Sequence, residues 1–119
     1  MTDDTVVRRG DVVVVRLDPA EGSEMEKTRP AVVVQNDVGN RNANTTIVAP
    51  ATGTHHGYPF EVPVEADGSP FEKDSSVRLD QVRVVSIETR IHSVVGRLGE
   101  QTMAEVDEAL KLSLGLGNV

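Results

Sequence analysis

The chain has 119 residues, a formal net charge of −7 and no cysteine. That length suits one domain with a working but modest core, and the missing thiols exclude disulfides and thiolate metal sites. The acidic balance taken alone argues against a nucleic-acid partner, because polyanions are held mainly through Lys and Arg.

Net charge does not say where charges sit. Nine arginines stand against three lysines, and Arg is suited to bidentate phosphate contact, so a local basic patch on an acidic body stays open. The first five residues are acidic where a signal peptide would be basic. No apolar run approaches the roughly 20 residues of a membrane span. A soluble, cytoplasmic protein is expected, with residues 1–8 as a lead-in and residues 9–119 as a single domain.

In chain order, Val12–Val15 reads as a short, β-branched buried strand closed by Asp18-Pro19. A charged loop then runs to Pro30, which lacks an N–H and pushes Arg29 into extended backbone. Ala31–Gln35 is the second strand. Asn36–Asn44, rich in Asn, Asp and Gly, is expected to be turns. Thr45–Ala49 is a third strand ended by Pro50, and Thr52–Pro59 is a polar loop. Phe60–Glu65 alternates apolar and polar, but Pro63 restricts it to an edge or a bulge. Ser76–Leu79 and Val82–Ser86 are two short strands or one bent strand. A short helix and a strand at His92–Val95 follow. Met103, Val106, Leu110 and Leu114 recur at helical spacing, predicting one amphipathic helix over residues 100–114 that stops at Gly115. Many short strands with turn signals suggest a small barrel or sandwich with a terminal helix.

Few residues stand out chemically. There is no phosphate-cradling Gly loop and no Gly-x-Ser-x-Gly elbow. His55, His56 and His92 could supply acid–base chemistry, but their spacing singles out no pair, and adjacent His55 and His56 would need a distant third ligand to hold a metal. Arg29 is the most suggestive residue. It is always charged, carries five donors in a fork and sits just before a strand that makes it aimable. Its targets are a phosphate or, more simply, Glu24 or Glu26 in its own loop.

Several stretches in fixed order bear a further reading. They are Arg9-Gly10-Asp11-Val12, Leu17-Asp18-Pro19, Gly22-Ser23-Glu24, Arg29-Pro30, Gln35-Asn36-Asp37-Val38-Gly39-Asn40-Arg41, Thr46-Ile47-Val48-Ala49 with Thr52 beyond, Phe71-Glu72-Lys73-Asp74-Ser75, Asp80-Gln81-Val82-Arg83 and Val106-Asp107-Glu108-Ala109-Leu110. Together they resemble the MazF/PemK family of toxin endoribonucleases from type II toxin–antitoxin systems, over roughly residues 8–114. The resemblance implies a mainly β fold with α additions: an SH3-like small β-barrel with a C-terminal amphipathic helix, working as a homodimer. It implies an mRNA interferase that cuts single-stranded RNA at short motifs without a metal or other cofactor. The 2′-OH attacks the adjacent phosphorus and leaves a 2′,3′-cyclic phosphate and a 5′-OH.

On that resemblance Arg29 and Thr52 are the catalytic residues, and Ser23, Glu24 and Gln81 line the RNA groove. Tyr58 is a rare aromatic near a loop and is expected to stack on a base, whereas Phe60 is expected in the core. Lys27 and Arg83 are expected to join Arg29 in one basic patch. The partner implied is a MazE-like antitoxin whose C-terminal segment occupies the RNA groove. The loop carrying Met25-Glu26-Lys27 departs from the family's frequent Gln-x-Gly, and the loop from Thr52 to Phe60 is short, so the cleavage motif is not implied. Two other readings are a CcdB-type gyrase poison, disfavoured because the chain has no Trp, and a non-catalytic SH3-like binding module.

Overall fold

A computed structural model describes residues 6–117; residues 1–5 of the lead-in, and Asn118 and Val119, lie outside the described residues. Within them are strands β1 (Asp11–Arg16), β2 (Thr28–Val33), β3 (Thr45–Thr52), β4 (Glu61–Val64), β5 (Ser75–Arg78), β6 (Arg83–Ser86) and β7 (Ile91–Arg97), with helices α1 (Asp37–Asn42), α2 (Ile87–Arg90) and α3 (Glu100–Leu114). All pairings are antiparallel. The order is β4-β5-β3-β2-β1-β7, with β6 paired to β3 off that path. The hydrogen-bonded path does not close, so the sheet is barrel-like rather than a sealed barrel.

The continuous valine run follows from burial on both faces. Val12, Val32 and Val34 face a core shared with Val77, Leu79, Val106 and Ala109. Val13, Val15, Ala31 and Val33 face a second core with Leu17, Val48, Val85 and Ile91. Alternate residues thus serve opposite cores, as the period of two requires. Val7 is only 2% exposed and joins the second core, so the described end of the lead-in is anchored.

α3 begins and ends where its periodicity predicts. It buries Val106 and Ala109. Gly115 has φ 72°, and the N–H groups of Gly115 and Leu116 reach the carbonyls of Leu112 and Lys111, a Schellman-type stop. Pro63 lies in β4, an edge strand of the path, where its missing N–H is tolerated. Ser75–Arg78 and Arg83–Ser86 are separate strands.

Three expectations change. Asn36–Asn44 contains the helix α1 rather than only turns. The Asn36 side chain accepts the Gly39 N–H as N-cap. The Asn40 amide, nearly buried, donates to the Gln35 carbonyl and accepts from Thr46 Oγ1 at 2.6 Å, so the polar composition builds a network instead of a loose loop. Second, β2 begins at Thr28, because Arg29 and Pro30 pair with Val15 and Val14 of β1. Third, β3 runs through Pro50 to Thr52, so Thr52 ends a strand instead of opening a loop.

The Arg9-Gly10-Asp11 stretch is a structural knot. Arg9 donates to the Val34 carbonyl and to Asp107 of α3 at 2.7 Å, and its N–H bonds Asp37 of α1. That N–H, then the Asn40 amide, hold the Asp37 carboxyl below its ordinary pKa. Buried Asp11 pairs with Arg97 at 3.0 Å and accepts the Arg8 N–H.

Candidate functional site

The site opens where β3 leaves β2. Their last pair is Ala31 with Pro50; β3 then pairs with β5, placing Thr52 opposite Ser76. Pro30 and Pro50 stand at the split, and neither has an N–H to continue the ladder. A cavity of about 560 Å³ occupies the opening. Arg29 and Thr52 line it from the two sides, with Gly53, Glu72, Lys73 and Ser75 among its other walls. Arg29 Nε donates to the Glu26 carbonyl at 2.8 Å. Among the described residues, neither Nη of Arg29 has a hydrogen-bond or ion-pair partner; the simple expectation of a bridge to the Glu24 or Glu26 carboxylate is not met. One edge of the fork is therefore anchored and the other is available. Among the described residues Thr52 Oγ1 accepts only a long contact, 3.5 Å, from the Thr54 N–H.

A second hollow of about 570 Å³ is lined by Ser23, Glu24, Met25, Pro50, Gln81 and Arg83 among others. The two hollows share no lining residue: Pro50 of β3 lines this one, and the next residues of that strand, Ala51 and Thr52, line the first. Gln81 Oε1 accepts the Met25 N–H at 3.2 Å, and Glu24 Oε1 accepts the Glu21 N–H. The base of this loop is held by three arginines: Arg16 donates to the Asp18 carbonyl, Arg83 to that of Leu17, and Arg90 to those of Arg16 and Asp18. Lys27 closes the loop with φ 73°, its N–H on Asp18 Oδ1. That left-handed backbone is uncommon outside glycine.

The loop after Thr52 is organised by a buried carboxylate. The Glu61 side chain is fully buried. It accepts the His56 and Tyr58 N–H groups at 3.1 and 3.0 Å and Ser76 Oγ at 3.2 Å, while Arg78 Nε lies 3.9 Å away. Burial pushes the Glu61 carboxyl up. The bonds from Tyr58, His56 and Ser76 outweigh it and hold the group below the usual carboxylate range. His55 Nδ1 lies 3.0 Å from the same Ser76 hydroxyl. Tyr58 stacks with both His56 and Phe60, at centroid distances of 5.2 and 4.9 Å. Phe60 packs against the first core, as expected. Much of the Tyr58 π surface is thus engaged within the chain, though the residue is 45% exposed.

The structure therefore joins Arg29 to Thr52 in one cavity, and Ser23, Glu24, Gln81 and Arg83 in the second hollow. It does not gather Lys27, Arg29 and Arg83 into one patch: Arg29 and Arg83 line different hollows, and Lys27 is among the lining residues of neither. The cation that does share Arg29's cavity is Lys73, which sequence reading placed in a motif without giving it a role. Glu61 was also missed; a glutamate on an alternating strand reads as the solvent face, and only tertiary packing buries it. Among the described residues no three His, Asp or Glu side chains gather as metal ligands would, and no helix is long and apolar enough to cross a membrane.

Comparison with known proteins agrees with this architecture. A family model described as PemK-like, MazF-like toxin of type II toxin–antitoxin system matches residues 8–114. MazF from Deinococcus radiodurans is 27% identical, with TM-score 0.84, over 95% of this chain and 100% of that one. The MazE–MazF structure from the same organism gives 27% identity and TM-score 0.77, over 96% of this chain and 100% of that one. A mycobacterial endoribonuclease in complex with its cognate antitoxin shares the fold at 21% identity and TM-score 0.80, over 95% and 99% of the two chains. The chain belongs to the PemK-like, MazF-like toxin family of type II toxin–antitoxin systems.

Proposed function

We propose that this chain is a metal-independent, sequence-specific endoribonuclease that cuts single-stranded RNA. The observation that carries the reading is that Arg29, its Nη edge unpaired, and Thr52 line one open cavity. In the reaction a bond forms between O2′ and phosphorus and the P–O5′ bond breaks, giving a 2′,3′-cyclic phosphate and a 5′-OH. Negative charge builds on the nonbridging oxygens. Two Nη groups of Arg29 suit those oxygens, and the Thr52 hydroxyl can donate to the same phosphate. The 2′-OH must lose a proton and O5′ must gain one. A guanidinium stays protonated and is a poor base, so the role of Arg29 is charge stabilisation.

The second hollow is where bases are read. Single-stranded RNA is recognised through splayed base edges, and Ser23, Glu24 and Gln81 carry donors and acceptors at its wall. Arg83 lines it as well, while Lys27 and Tyr58, which line neither hollow, would meet the RNA outside them. An antitoxin of the MazE type is the partner, its C-terminal segment occupying these hollows. The chain works as a homodimer, supported by Val94 and Val95 of β7 and Val84 of β6, which are 41%, 47% and 59% exposed. Paired subunits would cover such apolar surface. Light scattering reporting one chain's mass at micromolar concentration overturns the dimer.

The activity is tested by incubating long unstructured RNA with the protein in EDTA and sequencing the 5′-OH ends. Discrete cuts by the wild type, absent from Arg29→Ala and Thr52→Ala, are expected. Cuts that persist in Arg29→Ala overturn the assignment.

A further inference from the structure

Lys73 is the one lysine that lines the cavity of Arg29 and Thr52. Its Cε and Nζ lie 3.6 Å from the point where a Cβ on Gly53 would stand. The ammonium therefore occupies the space beside the residue that follows Thr52, space that Gly53 leaves open. Among the described residues Lys73 has no ion pair, and its side chain makes no hydrogen bond. Its backbone is nonetheless held on both sides. Phe71 is 5% exposed in the first core. Ser75 Oγ donates to the Lys73 carbonyl at 2.8 Å, and Asp74 Oδ1 accepts the Ala66 N–H at 2.8 Å. A firmly based, unpaired cation faces into a cavity that already holds an arginine with a free edge. Glu72 is the one carboxylate lining the same cavity, and it does not pair with either cation.

We propose that Lys73 is the second phosphate-binding cation of this site, placing its charge on the RNA backbone at Thr52-Gly53 while Arg29 holds the reacting phosphate from the β2 side. This rests on the endoribonuclease reading for its substrate. A compact ammonium donates as a point charge and needs no fixed plane, which suits a backbone oxygen that moves as the chain threads the split. The carboxylate of Glu72 opposes binding in the same place. Neutralising it therefore has the opposite sign to neutralising Lys73.

The test uses Lys73→Gln, Lys73→Arg and Glu72→Gln. Cleavage of the RNA used for end mapping is compared with binding of a fluorescein-labelled mixed-sequence single-stranded RNA 20-mer, 2′-O-methylated throughout so that it cannot be cut, followed by anisotropy across a salt series. Lys73→Gln should lose about 10- to 100-fold in kcat/KM, the loss typical of one charge-assisted contact. Its plot of log affinity against log salt should be shallower by about 0.7, one phosphate contact on a single strand. Lys73→Arg should keep the wild-type slope and recover most of the cleavage. Glu72→Gln should bind more tightly than wild type. An unchanged slope in Lys73→Gln, or equal loss of slope in Lys73→Arg, overturns the proposal. If the wild type cuts no RNA, the endoribonuclease reading fails, and the slopes still decide whether Lys73 binds a phosphate backbone.

Discussion

Removing Glu61 tests how the loop beside the site is held. In Glu61→Ala the N–H groups of His56 and Tyr58 lose their acceptor inside a region where the carboxylate is fully buried. Ser76 Oγ can turn to His55 Nδ1, 3.0 Å away, and Arg78 keeps its two bonds to Asp80. Two orphaned donors at about 1–3 kcal/mol each, plus a small cavity, predict a loss of about 3–5 kcal/mol. Glu61→Gln keeps one oxygen for the two backbone donors and loses charge assistance, so about 1–3 kcal/mol is expected. Because the folded-state pKa is depressed, the carboxylate's stabilisation is fully present above its unfolded pKa of about 4.3 and is lost as pH falls through the lower folded value. The gap between wild type and Glu61→Gln should therefore narrow from pH 7 towards pH 3. Urea melts at several pH values measure the gap, and hydrogen exchange reads the His56 and Tyr58 amides directly. A Glu61→Ala variant within 1 kcal/mol of wild type, with both amides still protected, would refute the reasoning.

Other outcomes follow from the same geometry. Arg29→Lys keeps the charge but loses the fork, and cleavage should drop at least about 100-fold with an unchanged melting temperature; near wild-type activity would mean that Arg29 acts only as a point charge. A Cβ at Gly96 would stand 2.7 Å from the Pro70 ring, so Gly96→Ala should cost about 1–3 kcal/mol in urea unfolding and disturb the segment that carries Lys73. Gly115→Ala must hold φ 72° at the end of α3, which should cost about 1–2 kcal/mol, with loss of helical circular dichroism confined to the unfolding transition.

The strands read at Val12–Val15 and Ala31–Gln35 and the helix over residues 100–114 were legible, apart from strand ends, because their causes are local: β-branched runs bounded by breakers, a helical apolar period and a glycine stop. The ordered motifs carried the family, and with it the pairing of Arg29 with Thr52. Where those motifs act was not local. Arg9-Gly10-Asp11 and Gln35-Asn36-Asp37 look chemical in one dimension and prove to be knots that tie β1, α1, α3 and β7. Asn36–Asn44 reads as turns because its residues favour caps and turns alike; only the buried acceptor role of Asn40 selects a helix. The cavity itself depends on β3 leaving β2 at two prolines and moving to β5, an event that neither strand's sequence specifies alone. That departure decides which cation joins Arg29. Lys27 and Arg83 are near it in motif order, but Lys73 is beside it in space. The carboxylate of Glu61 shows the same limit: composition records its charge, and only the packed sheet decides that the charge is buried and bonded.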